Sequence, residues 1–135
     1  MGVIAPFETP FSSRTESRNG VARISLSGEL DLATAPLLDD QIALAEVPGI
    51  TGIMLDLRNL TFIDGSGLRS FLSARDRANA NGHRLVLVGA NAPAHRLFQL
   101  TGTQFLLDAP EAAGMRDWFT GWNDFVPAQA GDSGA

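Results

Sequence analysis

Two apolar runs separated by one amphipathic stretch lie between residues 53 and 88, and that order leaves few folds open. Ile53-Met54-Leu55-Asp56-Leu57 is short and mostly apolar, as suits a strand covered on at least one face. Leu85-Val86-Leu87-Val88 reads as a buried strand closed by Gly89. Between them, Leu68, Phe71 and Leu72 fall on one helical stripe that Ala78 extends, and Asn81-Gly82 stops the helix. Strands joined through a helix lie parallel, and such crossovers are right-handed because of strand twist. A β-α-β unit is therefore expected at the centre of the fold.

The flanks add to this unit. Residues 1–10 hold two prolines and little apolar period, and read as a loose arm. Residues 11–17 suit a polar edge strand, and Asn19-Gly20 is a two-residue hairpin signal. Val21 to Ser27 then alternates, with polar residues at Arg23, Ser25 and Ser27, and Gly28-Glu29-Leu30-Asp31 reads as a loop. Thr34 and Pro36 mark a helix start, through a hydroxyl cap and an early proline. Leu38, Ile42 and Ala45 form that helix's inner face, and Pro48-Gly49 ends it. Pro93 opens a short helix with Leu97, Phe98 and Leu100, which stops at Thr101-Gly102. Gln104 to Leu107 is expected as a last short strand. Pro110 opens a final helix with Met115, Trp118, Phe119 and Trp122 on one stripe. The expected architecture is α/β: a mixed sheet of four to five strands with about four helices over residues 11–122, then a flexible tail over 123–135.

Composition removes several classes of function. A net charge of −5 argues against nucleic acid as the main partner, because phosphates need a basic face. All 10 basic residues are arginine, so Schiff-base and phosphate-loop lysine chemistry is absent. There is no cysteine, which excludes disulfides, thiolate zinc sites and cysteine nucleophiles. No acid or histidine cluster has ligand spacing, so neither metal nor cofactor is expected. No apolar run approaches the roughly 18 residues needed to span a bilayer. The expectation is a cytoplasmic protein without direct membrane insertion.

Residues 60–68, Leu-Thr-Phe-Ile-Asp-Gly-Ser-Gly-Leu, carry the candidate site. A strand-like approach meets a sharp turn at Asp64-Gly65-Ser66-Gly67, and a helix follows. A helix start offers free N–H groups and a dipole that favours negative charge. Three chemistries suit this turn: a phosphorylation switch, an anion site or a nucleophile. Asp64 is placed to cap the helix. Glycine on both sides of Ser66 lets another protein's backbone approach closely. Phosphorylation there would add about −1.5 to −2 charges and spoil a docking surface. As a nucleophile elbow the turn is imperfect, because Gly-x-Ser-x-Gly needs glycine where Asp64 stands. His83 and His95 are the only imidazole bases. Asp31 follows another strand end, beside the Ser66 loop, where open α/β sheets place binding sites. Leu68 and Arg69, expected to be exposed at the helix start, are candidate contacts.

These segments together resemble the STAS domain of anti-sigma-factor antagonists. The likeness rests on Ile24-Ser25-Leu26-Ser27-Gly28-Glu29-Leu30-Asp31, on Leu55-Asp56-Leu57 with residues 60–68, and on Leu85-Val86-Leu87-Val88 with Arg96-Leu97-Phe98 and Thr101-Gly102. It implies helices packed mainly on one sheet face and a regulator that is not an enzyme. The implied partner is an anti-sigma factor with serine kinase activity. It uses ATP to inactivate the antagonist, and a serine phosphatase reverses the step. Partner contact would involve Asp31, Asp64, Gly65, Ser66, Gly67, Leu68 and Arg69. In the family the phosphoacceptor directly follows the motif aspartate. That position is Gly65 here, and Ser66 is the hydroxyl one residue on. The alternative within the same fold is an adaptor without phosphorylation, as a stress-complex scaffold or a small subunit of a lipid or anion transport system.

Overall fold

The computed structural model describes residues 11–107. The expected arm at 1–10, the helix opened by Pro110 and the tail at 123–135 lie outside them. The element order is β1 Phe11–Arg18, β2 Val21–Leu30, α1 Ala35–Ala45, β3 Gly52–Ile63, α2 Gly65–Asn81, β4 Arg84–Val88 and α3 Ala92–Thr101, followed by a 3-10 turn at Gln104–Leu107. The sheet order is β1-β2-β3-β4. β1 and β2 form an antiparallel hairpin, and β2, β3 and β4 run parallel. The hairpin turns on Asn19 and Gly20, both at positive φ, as a right-twisted two-residue turn requires. The described residues thus hold four strands and three helices, within the expected mixed α/β sheet but with one helix fewer. No described helix is long and apolar enough to cross a membrane.

Three elements differ from the sequence reading. β2 continues through Gly28-Glu29-Leu30, and β3 runs unbroken to Ile63, joining the run at 53–57 to the strand-like approach at 60–63. The two extensions pair with each other, Gly28 with Leu60 and Leu30 with Ile63, across register shifts near Ser25–Ser27 and Gly28–Glu29. A bulge breaks the two-residue period, so the alternating pattern stops being readable there although the pairing goes on. Gly28 takes φ +92°, which explains why glycine stands inside a strand. Residues 104–107 form a 3-10 turn, not a strand. The Leu106 N–H donates to the Thr103 carbonyl (3.0 Å), so the segment satisfies itself locally.

One core cluster joins Ala22, Ile24, Leu26, Ile53, Leu55, Leu57 and Leu87 to Leu38 and Ile42 of α1, Phe71 and Ala74 of α2, and Phe98 of α3. Within each strand these positions alternate, so the three helices share one sheet face. Phe71 and Phe98 meet as a tilted pair with ring centroids 6.3 Å apart, fixing α3 beside α2. The opposite face is partly covered: Arg23, Met54, Asp56, Val86 and Val88 are buried, whereas Ser25 and Ser27 are half-buried and Ser12 and Arg14 exposed. Arg23, a polar residue of the alternating run, is only 2% exposed and pairs with Glu16 directly across the hairpin (2.7 Å). Asp56 is bound by Arg58 through Nε (3.0 Å) and Nη2 (2.7 Å). Buried charges persist only when so paired.

Candidate functional site

The parallel pairing of β2 and β3 brings Asp31 and Asp64 to one end of the sheet. Leu30 and Ile63 are register partners, and the Asp64 N–H donates to the Leu30 carbonyl (3.2 Å). The two aspartates are therefore the residues that leave adjacent strand ends, as expected from the sequence. Each carboxylate organises its own loop. Asp64, extended at φ −123°, accepts from the Ser66 N–H (2.8 Å) and the Gly67 N–H (3.4 Å), capping α2. Asp31 accepts from the Ala33 N–H (3.0 Å) and the Thr34 N–H (3.1 Å). Its carbonyl accepts the Ala35 N–H (2.8 Å), which starts α1. Thr34 occupies the N-cap position, but its hydroxyl does not cap the helix. It donates back to the Glu29 carbonyl (2.8 Å) and accepts the Asp31 N–H (2.9 Å), tying the loop to β2. The side chain that an expected hydroxyl cap would need is thus already committed.

The two glycines around Ser66 have different reasons to be there. Gly65 is exposed, and a Cβ built on it meets nothing within 4 Å. A Cβ at Gly67 would lie 2.7 Å from Leu30 Cδ2 and 3.0 Å from Ile63 Cγ1, so α2 sits on β2 as closely as a bare backbone allows. Ser66 lies between them, half-buried. Leu68 is buried in the core and is not the exposed contact expected. A residue one turn into α2 on the Phe71 stripe faces the sheet. Arg69, one position on, is exposed.

This geometry separates the three chemistries. Of the N–H groups that would hold an anion, those of Ser66 and Gly67 are taken by the Asp64 carboxylate. A nucleophile would need a base, and His83 lies just before β4, at the opposite end of the sheet. β3 spans 12 residues, or roughly 40 Å, between the two ends. His95 is exposed on α3. No group of three or more acids and histidines that could hold a metal occurs among the described residues.

Sequence reasoning missed the residues beside this loop. Leu32, in the β2–α1 loop, is 76% exposed, Phe62 of β3 is 48% exposed and Leu100 of α3 is 78% exposed. Asn91 caps α3 by accepting the Ala94 N–H (3.3 Å), and its amide donates to the Leu60 carbonyl. It thereby pins α3 to the strand that delivers Asp64. An asparagine two residues before Pro93 was a readable cap signal.

Asp64→Ala should lower unfolding free energy by about 1 kcal/mol through loss of the cap, whereas Asp64→Asn should retain most of it. Urea denaturation of the two variants checks this. Equal losses in both would mean that the negative charge, not the hydrogen bonds, holds the turn.

Comparison with known proteins agrees with this geometry. Residues 12–113 match the STAS domain family. The chain is similar to the anti-sigma-B factor antagonist of Staphylococcus aureus, at 28% identity over 97 residues, covering 72% of this chain and 90% of the relative. It is similar in structure to an anti-sigma factor antagonist from Mycobacterium paratuberculosis, with a TM-score of 0.65 at 23% identity over 73% of this chain and 83% of that one. It is also similar to the Bacillus cell fate determinant SpoIIAA in its phosphorylated form, with a TM-score of 0.59 at 25% identity over 78% of this chain and 98% of that one.

Proposed function

The chain belongs to the STAS domain family, and we propose that it acts there as an anti-sigma-factor antagonist by partner switching in the cytoplasm. In this reading it binds an anti-sigma factor and releases the sigma factor, and it has no catalytic activity of its own. The observation that carries the reading is the pair of loops starting at Asp31 and Asp64, held side by side by the Leu30–Ile63 pairing. Gly65, Ser66 and Arg69 offer the contact surface, and Gly67 and Leu68 set the helix in place behind it. An ordinary interface of this kind buries about 800 Å² per partner. Co-purification with the anti-sigma factors of the same genome tests the reading. A stable complex weakened by Asp31→Ala or Arg69→Glu is expected, and failure to bind any of them would overturn it.

A specific observation favours a second form of the same function, in which binding is not switched by phosphate. Gly65 stands at the position where the family resemblance places the acceptor hydroxyl, and Ser66 starts one residue later on the helix. Successive helical residues point about 100° apart, and phosphoryl transfer tolerates little misplacement. Mass spectrometry after incubation with the partner kinase and ATP separates the forms. The expected result is an unmodified chain that stays bound. A phosphate on Ser66, lost in Ser66→Ala, would instead establish the phosphorylated switch, with a serine phosphatase to reverse it.

A further inference from the structure

Beside the Asp64 loop, an open groove of about 380 Å³ runs between the end of β3 and α3. Phe62 and Ile63 form its floor, Pro93, Leu97 and Leu100 its wall, and Arg96 stands among them. Phe62 and Leu100 keep much of their apolar surface in water, which is unfavourable unless something covers it. The groove has a fixed shape, because Asn91 bonds both α3 and β3, and Phe98 is locked against Phe71. It lacks the convergent polar groups that orient a small ligand. It is also continuous with the loop assigned above, since Ile63 is followed directly by Asp64.

Charge narrows the occupant. Most arginines of the described residues are engaged. Arg14 and Arg23 pair with Glu16, Arg58 with Asp56 and Arg77 with Glu46, and Arg75 lies over the Phe105 ring. Arg18 and Arg84 have interactions of their own. Arg69 and Arg96 are exposed and make no ion pair among the described residues. One stands in the second turn of α2 and the other in the groove. No acid is among the described residues lining the groove. Asp31 and Asp64 spend their carboxylates on backbone N–H groups. Among the described residues, Arg69 and Arg96 are thus exposed cations without a carboxylate partner.

We propose that this groove seats an amphipathic helix of the partner, with apolar side chains over Phe62, Leu97 and Leu100 and a carboxylate paired with Arg96. Helices laid in apolar grooves present residues at i, i+3, i+4 and i+7, and a flanking charge sets their direction. The proposal rests on the docking reading above and adds the partner's chemistry: an acidic amphipathic helix instead of a loop or a basic segment.

Synthetic peptides of about four turns test it on the full chain. One set carries leucines on a helical stripe with flanking glutamates, and a matched set carries lysines in their place. Each is titrated into the isotope-labelled protein and followed by NMR. The expected result is shifts at Phe62, Ile63, Leu97 and Leu100 with the acidic set, and affinity at least about tenfold weaker with the basic set. Leu100→Asp, at an exposed position, should abolish those shifts while leaving the melting temperature unchanged. Arg96→Glu should reverse the preference between the sets. Equal binding of both sets, shifts elsewhere, retention of binding in Leu100→Asp, or no binding at all would overturn the proposal. So would a concentration-dependent dimer lost in Leu100→Asp, since that assigns the groove to a second copy. Peptide binding without any anti-sigma-factor complex would overturn the function proposed above and leave the groove standing.

Discussion

Gly67→Ala is expected to destabilise the domain by about 1–2 kcal/mol, while Gly65→Ala should leave it unchanged or slightly more stable. Both replace glycine by alanine in the first turn of α2, and alanine gains up to about 1 kcal/mol in a helix interior through lower backbone entropy in the unfolded chain. At Gly65 nothing opposes that gain, because the new Cβ has open space. At Gly67 the Cβ would approach Leu30 Cδ2 to 2.7 Å, Leu30 Cγ to 2.8 Å and Ile63 Cγ1 to 3.0 Å. Leu30 is wholly buried and Ile63 nearly so, so neither has room to retreat. Overpacking of this sort costs typically about 1–3 kcal/mol and outweighs the helix gain. In a domain of this size the loss corresponds to a melting temperature lower by roughly 5–15 °C. The change also bears on docking. Relief of the clash lifts α2 from β2, and with it the Ser66 loop from the Asp31 loop. Weaker partner binding should therefore accompany the thermal loss. Equal melting temperatures for the two variants would show that the helix start gives way without cost.

The contrast between the glycines shows where a sequence is readable and where it is not. Asp64 as a cap, the crossover from β3 to β4, and the Asn19-Gly20 hairpin were all legible, because each depends on neighbours along the chain. The reason for Gly67 was not, because its constraint comes from Leu30, more than thirty residues earlier. The same holds for Arg23. Alternation places a polar residue on the outer face of β2, and only the pairing with Glu16 and the burial of that face make it an interior cation. The continuity of β3 was not legible because Arg58-Asn59 interrupts the apolar run between 53–57 and the strand-like approach at 60–63. Its strand character comes from pairing with the bulged end of β2. Leu68 was misplaced as a surface contact because proximity to the turn outweighed its position on the Phe71 stripe. At the site, chain order predicted the two aspartates, but the apolar groove needed α3 to be set against β3.

In the form of the proposed function that has no phosphate switch, Gly65→Ser should introduce one. The position tolerates the side chain: it is exposed, its φ is not in the left-handed region, and no atom lies within 4 Å of the added Cβ. Serine is also no worse than glycine in the first helical turn, so the variant should fold with unchanged stability. The hydroxyl would stand directly after the capping carboxylate, where the family resemblance places the acceptor. A phosphate there gains from the start of the α2 dipole and is opposed by the Asp64 charge, so the domain keeps its fold. The cost falls on the complex instead. Burying an unpaired dianion in an interface costs about 3–5 kcal/mol, which is a loss of roughly 150- to 5,000-fold in affinity. With partner kinase and ATP, the variant should take up one phosphate on the introduced hydroxyl and dissociate, while the wild-type complex persists. Calorimetry with and without ATP reads the affinity, and mass spectrometry locates the phosphate. A variant that binds the kinase yet stays unmodified would show that the loop does not present position 65 to the nucleotide. A wild-type chain phosphorylated on Ser66 and released as readily would show that one helical residue of displacement is no barrier to transfer.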